Sequence, residues 1–206
     1  MAPVKRAPSQ KAQQTRLRII EAARDLFVAD GYGATSLQDI ATRAGVAVQT
    51  VYFVFGNKRT LLKELVDVTV AGDDEPVATM DRPWFRAALD APTAQEHLRL
   101  QVAGARAVLE RVAPVAKVLD AAVATDPEVA AMWPDTHDPR YLVQAAAGRS
   151  LAAKPGARAS AQDAADLLYG LLSPELFLLL VRERGWSADR WERWAYETLR
   201  SQLCVD

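Results

Sequence analysis

Apolar residues recur every three or four positions through most of this chain, and that spacing is typical of amphipathic helices. Half of the 206 residues are hydrophobic, which is enough for a sizeable core. We find no run of alternating apolar and polar residues bounded by hairpin turns, so strands are not expected. The pattern therefore predicts an all-α fold of about nine helices.

The N-terminal part of the chain predicts four closely spaced helices. Ser36 and Asp39 have the spacing of a capping box, in which each side chain bonds the backbone amide of the other residue. Gly45 ends the second helix, because glycine readily adopts the left-handed conformation of a helix C-terminus. The predicted helices span about 16–30, 37–44, 47–54 and a fourth segment that Asn57 caps.

The third of these helices has two faces with different requirements. One face groups the core candidates Ala47, Val51, Val54 and Phe55. The other face groups Val48, Gln49, Tyr52 and Phe53, with Thr50 at its edge. None of these residues is charged. An outward face on the second helix of a tight two-helix corner is typical of a helix that enters a DNA major groove.

The segment TSLQDIATRAGVAVQTVYFVFGNKRTLL, Thr35 to Leu62, resembles the helix-turn-helix signature of the TetR/AcrR family of bacterial transcription regulators. The resemblance implies an N-terminal helix-turn-helix domain that binds a double-stranded DNA operator, and a helical C-terminal domain that binds a small-molecule effector. It also implies a homodimer that reads the two halves of a pseudo-palindromic operator. The DNA-binding residues that it implies are Thr35, Arg43, Val48, Gln49, Thr50, Tyr52, Phe53 and Lys58.

The resemblance separates these residues by role. Val48, Gln49, Thr50 and Phe53 are expected to enter the groove, whereas Tyr52 and Lys58 are expected to contact phosphates. Two positions depart from the family pattern: Ala47 stands where a capping Ser or Thr is usual, and Phe53 replaces a residue that is commonly polar. A Ser or Thr cap is typically worth about 1 kcal/mol, so the first turn of this helix is expected to be looser.

The distribution of charge favours DNA binding by the N-terminal part. The net charge is only −1, yet residues 1–64 hold ten Lys or Arg against five Asp or Glu. We expect Arg16, Arg18 and Arg43 to face phosphates and to make binding steeply dependent on salt.

Glycines, prolines and shifts in composition divide the chain into three predicted regions. These are a disordered basic arm over 1–14, a DNA-binding domain over 15–71, and an effector-binding and dimerisation domain over 72–206. The predicted helices of the last region are 93–111, 114–124, 127–152, 161–183 and 188–203. Ser173 and Pro174 leave two alternatives for the fourth of these. They form either a cap with proline at the first helical position, or a kink in one long helix.

Two sets of apolar residues are candidate binding surfaces of the C-terminal domain. An apolar or aromatic effector is expected at Trp84, Phe85, Met132 and Trp133, although each of these residues suits a core equally well. A two-fold interface with a second copy is expected at Leu168, Leu172, Phe177, Leu179, Leu180 and Trp191. The alternative is that the helix 161–183 is simply the central helix of its own domain.

Other classes of protein find less support. His97, Asp135, His137 and Asp138 raise the question of a metal, but their spacing favours a loop, and we expect neither a metal nor a cofactor. No convincing phosphate loop or catalytic triad is found, so the chain is not expected to be an enzyme. The longest apolar run is far short of the ~20 residues of a membrane span.

The leading interpretation is a cytoplasmic regulator, a repressor that a small apolar ligand releases from its operator. An architectural DNA-binding protein without an effector is one alternative. An all-helical enzyme with an accidental helix-turn-helix likeness is the other.

Overall fold

The computed structural model describes residues 10–72, 77–133 and 139–205. These residues form helices and no strand, apart from one isolated bridge between Ala157 and Cys204. The all-α prediction is confirmed. The α-helices are α1 Gln10–Asp30, α2 Leu37–Ala44, α3 Val48–Phe55, α4 Lys58–Ala71, α5 Pro83–Asp90, α6 Ala94–Thr125, α7 Pro127–Ala130, α8 Pro139–Ala152, α9 Ala161–Leu171, α10 Pro174–Phe177 and α11 Ala188–Leu203.

Contacts group the chain into two compact units. The first contains the residues up to Asp67 together with Val118–Met132, and the second contains Val68–Lys117 together with the residues from Trp133 onward. This grouping follows contacts and not roles. The predicted functional domains, 15–71 and 72–206, therefore stay a prediction.

The first unit packs its helices around one apolar core. Each helix from α1 to α4 contributes residues three or four positions apart, as an amphipathic stripe requires. The side chains that are almost completely buried are Ile19, Ala23, Phe27, Ile40, Ala41, Val51, Phe55, Leu61, Leu62 and Leu65.

The corner between α2 and α3 is built from local hydrogen bonds. The Asp39 amide donates to Ser36 Oγ over 3.1 Å, and the Ser36 amide donates to Asp39 Oδ2 over 2.9 Å, which confirms the predicted capping box. Gly45 ends α2 with a φ of +65°, a conformation that other residues adopt at a cost. These features fix both ends of α2, and α3 begins three residues after Gly45.

Two predictions for the N-terminal part need correction. The predicted disordered arm over 1–14 is wrong for residues 10–14, because the helix α1 already includes Gln10; residues 1–9 lie outside the described residues. The third helix begins at Val48, one residue later than predicted, and Ala47 is its exposed N-cap residue instead of a core residue.

Helix α6 corrects the predicted break at Pro114. Proline removes one helical hydrogen bond and crowds the preceding turn, at a cost of about 3 kcal/mol. Both neighbours of Pro114 are buried, Ala113 completely and Val115 with 2% exposure. Packing on both sides of the proline therefore keeps residues 94–125 in one helix.

Two later helices are divided relative to their predictions, whereas α11 has the predicted bounds 188–203. The expected helix 127–152 is divided, since α7 ends at Ala130 and α8 begins at Pro139. The expected helix 161–183 bends by 43° after α9. Ser173 Oγ accepts a hydrogen bond from the Leu176 amide over 3.2 Å, so the cap alternative is correct. Beyond α10, Leu178–Glu183 forms a π-helix.

Candidate nucleic-acid interface

The outward face of α3 carries exposed side chains on adjacent turns. Phe53 keeps 91% of its surface exposed and Tyr52 keeps 53%, while Gln49 lies exposed one turn earlier. On the opposite side, Val51 and Phe55 are buried and anchor the helix in the core of the first unit. An aromatic ring that is almost fully exposed is costly to leave in water, so this face is suited to a partner.

The remaining residues of α3 lie at the edges of this face. Val48 and Thr50 are half-buried, and so is Val54, which the helical period had predicted as core. Ala47 provides no side-chain hydrogen bond at the N-terminus of the helix, as its sequence position implies. The helix thus presents an uncharged surface that is apolar at Phe53 and hydrogen-bonding at Gln49.

Such a surface has a defined chemistry toward DNA. A glutamine amide can pair with the N6 and N7 atoms of adenine, and an aromatic ring can contact the methyl group of thymine. A tyrosine hydroxyl can donate to a phosphate, which positions the helix without reading a base. Because α3 has no charge, electrostatic attraction to DNA must come from other residues.

Arg43 on α2 is an exposed positive group of the same unit. Its side chain is 60% exposed and its Nη2 atom lies 3.3 Å from Asp25 Oδ2. Asp25 is also 3.3 Å from Arg24. Exposed ion pairs contribute little stability, so Arg43 can exchange this partner for a phosphate at small cost.

Thr35 does not face outward, which corrects its predicted role in DNA binding. The side chain is 3% exposed, and its hydroxyl donates to the Gly31 carbonyl over 2.9 Å. The hydroxyl therefore holds the turn after α1 and is not available to a phosphate.

Lys58 also differs from its prediction as a phosphate contact. Its ammonium donates to the carbonyls of Tyr32 and Thr35 over 2.8 and 3.0 Å, and it lies 4.2 Å from the centre of the Tyr32 ring. Partial burial lowers the pKa of this ammonium below its usual range. Lys58 therefore stabilises the turn that supports α2 and α3.

The arginines near the start of α1 divide into two environments. Arg16 pairs with Glu64 of α4, and its Nε atom lies 3.0 Å from the Glu64 carboxylate. Of the two, only Arg18 is exposed, and its contact with a phosphate stays a prediction.

An ion-pair cluster that the sequence did not reveal lies in the first unit. Arg59 donates to Asp126 Oδ2 over 2.8 Å and to Glu128 Oε2 over 2.7 Å. The Asp126 side chain also caps α7, and the Arg59 guanidinium lowers the pKa of that carboxyl below its usual value. These partners are almost 70 residues apart in sequence, and no local pattern pairs them.

Comparison with known proteins agrees with this geometry. Residues 19–65 match the family described as bacterial regulatory proteins, tetR family. The matched segment contains the capping box, the Gly45 turn and the whole of α3. The match to this family thus covers the N-terminal helices and less than a quarter of the chain.

Curated relatives match this chain in sequence over a short segment only. The HTH-type transcriptional regulator TtgR of Pseudomonas putida is 44% identical over 62 residues, which are 30% of this chain and 30% of TtgR. The chain thus matches less than a third of this curated relative.

Solved structures extend the likeness in fold to the rest of the chain. A protein from Saccharomonospora viridis, solved in complex with choline, has a TM-score of 0.70 at 20% identity and covers 94% of this chain and 100% of its own. NalD of Pseudomonas aeruginosa, the secondary repressor of the MexAB-OprM multidrug efflux pump, has a TM-score of 0.66 at 19% identity, with 96% and 100% covered. At these identities the likeness concerns the fold alone.

The four residues predicted to bind an effector do not form one exposed patch. Phe85 has no exposed surface and belongs to the core of the second unit, so its role as a ligand contact stays a prediction. Trp84 lies against Gly104 of α6, where an added Cβ would come within 2.1 Å of the ring. Met132 and Trp133 are half-buried and belong to different compact units, so their role stays a prediction.

The residues predicted for dimerisation also divide. Leu168, Leu172, Phe177 and Trp191 are at most 3% exposed within a single subunit, and Trp191 packs edge-on to Phe177 with ring centres 5.0 Å apart. These four are therefore core residues, because their own unit already covers them. Leu179 is 44% exposed and Leu180 is half-buried, so these two remain candidates.

His97 lies inside the second unit. It has no exposed surface, and burial lowers its pKa to about 4, with a further contribution from the charge of Lys154. Within the described ranges, no group of three or more His, Cys, Asp or Glu side chains is placed to hold a metal ion. Asp135, His137 and Asp138 lie outside the described residues.

The lengths and compositions of the helices bear on membrane crossing. Among the described residues, no single helix is long and apolar enough to cross a membrane. The bent pair Ala161–Leu171 and Pro174–Glu183 passes the same test by length and composition only, as core helices of other proteins also do.

Proposed function

We propose that this chain is a DNA-binding transcriptional regulator of the TetR family, a repressor that a small molecule releases from its operator. The observation that carries the proposal is the exposed, uncharged face of α3, with Gln49, Tyr52 and Phe53, on the second helix of a capped two-helix corner. A helix held in this way can enter the major groove while the corner rests on the backbone.

Each exposed residue has a distinct proposed role. Gln49 reads an adenine edge and Phe53 contacts a thymine methyl group, with Val48 and Thr50 at the edges of the contact. Tyr52, Arg43 and Arg18 bind phosphates and supply affinity that is independent of sequence. Binding therefore weakens steeply as the salt concentration rises, because each neutralised phosphate releases counterions.

The functional unit in this proposal is a homodimer. Leu179 is an exposed large apolar residue on the π-helix that follows α10, and Leu180 lies half-buried beside it. A second copy that covers these residues would present two α3 helices to two half-sites, about one helical turn of DNA apart. The operator is then pseudo-palindromic.

The effector role belongs to the helical region after residue 72. One structural neighbour is solved in complex with choline and another is named a repressor, which supports a ligand-responsive repressor with the same fold. In this proposal the chain acts in the cytoplasm, by binding and release, and catalyses no reaction.

Selection of bound DNA from random sequence tests the proposal. Wild-type protein should enrich one pseudo-palindromic site. Phe53→Ala should lose preference at one position of each half-site and weaken binding roughly 10-fold, which corresponds to the ~1–3 kcal/mol of one base contact. Tyr52→Phe should weaken binding to all sequences equally, because a phosphate contact carries no sequence information.

Val28→Ala is the matched control, because Val28 is an exposed apolar residue of the same unit, on α1. It should bind the selected site as wild type does. The proposed DNA-binding face of α3 would be contradicted if the wild-type protein enriched no sequence. It would also be contradicted if Phe53→Ala and Val28→Ala lost the same affinity for the selected site.

A further inference from the structure

Three buried polar side chains of the second unit are named here the buried polar cluster. They are His97, Gln101 one turn later on α6, and Gln144 of α8, which Gln101 contacts. Their exposed fractions are 0, 1 and 7%. The helices that carry them contribute Leu98, Val102 and Ala147 to the surrounding apolar core. Polar groups in such surroundings normally have all their hydrogen bonds made.

The buried polar cluster leaves hydrogen-bonding atoms unused. Gln101 Nε2 donates to Gln144 Oε1 over 3.2 Å, which ties α6 to α8. Gln101 Oε1 has no partner. The His97 ring meets the backbone of Ala88, which raises its pKa, but neither ring nitrogen makes a hydrogen bond of normal geometry. Unpaired buried acceptors and donors cost stability. Their presence in this core therefore indicates a role other than stability, such as binding a ligand.

The unused atoms share one side of α6. Residues four apart on a helix lie on the same face on successive turns, so His97 and Gln101 are neighbours. Together they offer the carbonyl acceptor of Gln101 and, in the neutral imidazole, one donor and one acceptor. A hydroxyl group, which donates one hydrogen bond and accepts others, complements this set.

The charges near the buried polar cluster disfavour an ionic ligand. His97 is neutral near pH 7, because burial lowers its pKa to about 4. The Lys154 ammonium donates to the carbonyls of Leu89 and Ala91 over 2.7 and 2.6 Å, so its charge is already held by backbone oxygens. The cluster itself contains neither a cation nor a carboxylate.

We propose that the buried polar cluster binds the hydroxyl group of an uncharged, largely apolar alcohol or phenol, and that this molecule is the effector of the proposed repressor. The second part rests on the proposed function, whereas binding itself does not. The apolar body of the ligand packs against the core residues around the cluster, and the hydroxyl satisfies Gln101 and His97. Small-molecule sites commonly combine an apolar lining with a few convergent polar groups.

A pair of probes with the same shape tests the hydroxyl contact. The dissociation constants of 4-chlorophenol and 4-chlorotoluene for the full chain are measured by calorimetry, since the two molecules differ only by a hydroxyl and a methyl group. We expect the phenol to bind at least about 10-fold more tightly, because a site built for a hydroxyl rejects an analogue that leaves its polar groups unpaired. Equal binding of the two probes, or no binding of either, would overturn the proposal without any variant.

Variants then locate the contact. Gln101→Leu/Gln144→Leu removes both members of the buried pair and leaves no partner stranded, so the unliganded protein should melt at the wild-type temperature or higher. The ratio of the dissociation constants of 4-chlorotoluene and 4-chlorophenol should fall to about one in this variant and in His97→Leu. Gln202→Leu, at an exposed position of α11, should keep the wild-type ratio. Folded variants that retain the full preference would show that the cluster does not bind the hydroxyl.

A DNA-binding measurement separates the two proposals. Release of the selected operator by 4-chlorophenol should occur with wild type and disappear with the double variant, which still binds DNA. A preference for the phenol without any specific DNA binding would contradict the proposed repressor function and support the proposed binding site. Specific DNA binding without a preference for the phenol would contradict the proposed binding site and support the proposed regulator function.

Discussion

The stability of the second unit should depend on pH through His97. The pKa of this buried imidazole is about 4, compared with 6.5 for an ordinary histidine, mainly because burial penalises its charged form. The unfolded chain therefore binds a proton below about pH 6.5 that the folded chain does not bind until about pH 4. Stability is fully present above pH 6.5 and is lost as the pH falls through this window.

The magnitude follows from the two pKa values. A shift of one pKa unit corresponds to about 1.4 kcal/mol, so the full loss is about 3 kcal/mol below pH 4. Between about pH 8 and about pH 5 the expected loss is about 2 kcal/mol. This is a large part of the stability of an ordinary domain, which is of the order of 5–15 kcal/mol.

Urea unfolding at a series of pH values, with wild type and His97→Leu in parallel, measures this contribution. Carboxyl groups such as Asp39 and Glu96, whose pKa values are lowered by hydrogen bonds from Ser36 and Arg99, lose their contributions at lower pH in both proteins. Their effects cancel in the difference between the two curves. The difference should change by about 2 kcal/mol from about pH 8 to about pH 5.

A flat difference between the two curves would refute this reasoning, because it would mean that the folded protein protonates His97 as easily as the unfolded chain does. Titration of the imidazole signals by NMR gives a second measurement. A pKa near 6.5 for His97 in the folded protein would refute the burial of a neutral ring.

Three further predictions concern the first unit. Ala47→Ser should raise the free energy of unfolding by about 1 kcal/mol, because it gives α3 the side-chain cap that it lacks; an unchanged urea midpoint would contradict this. Thr35→Val should lower the free energy of unfolding by about 1 kcal/mol, whereas Thr42→Val, at an exposed position of α2, should change it much less; similar losses would show that the Thr35 hydroxyl is not special. Arg59→Gln should raise the pKa of Asp126 toward its ordinary value in a carboxyl NMR titration, and Arg99→Gln should not; an unmoved Asp126 would refute the ion pair.

The outward face of α3 and the nearby Lys58 show how much of the candidate site could be predicted from the sequence. The outward position of Tyr52 and Phe53 followed from the helical period, because Val51 and Phe55 on the opposite side had to be covered. The role of Lys58 did not follow. Its ammonium is bound by carbonyls 23 and 26 residues away, and a lysine that folds back is indistinguishable in sequence from one that faces a phosphate.

The C-terminal region shows the same limit in its apolar residues. Leu168 and Leu179 are both leucines in an apolar stretch, and both were predicted to meet a second subunit. In the structure Leu168 is buried by its own unit and Leu179 is 44% exposed. Hydrophobicity indicates that a side chain needs cover, but it does not identify the element that provides it.

The sequence alone determined the helical class, the bounds of α2 and the capped corner that leads into α3. Those features depend on hydrogen bonds and torsion angles within about four residues, as in the Ser36–Asp39 box and the Gly45 turn. The tertiary structure alone decided that α6 continues through Pro114, that Arg59 meets Asp126, and that Gln101 donates to Gln144 while its own Oε1 has no partner. These depend on which distant segments the packed chain brings together, and that choice is a property of the whole core.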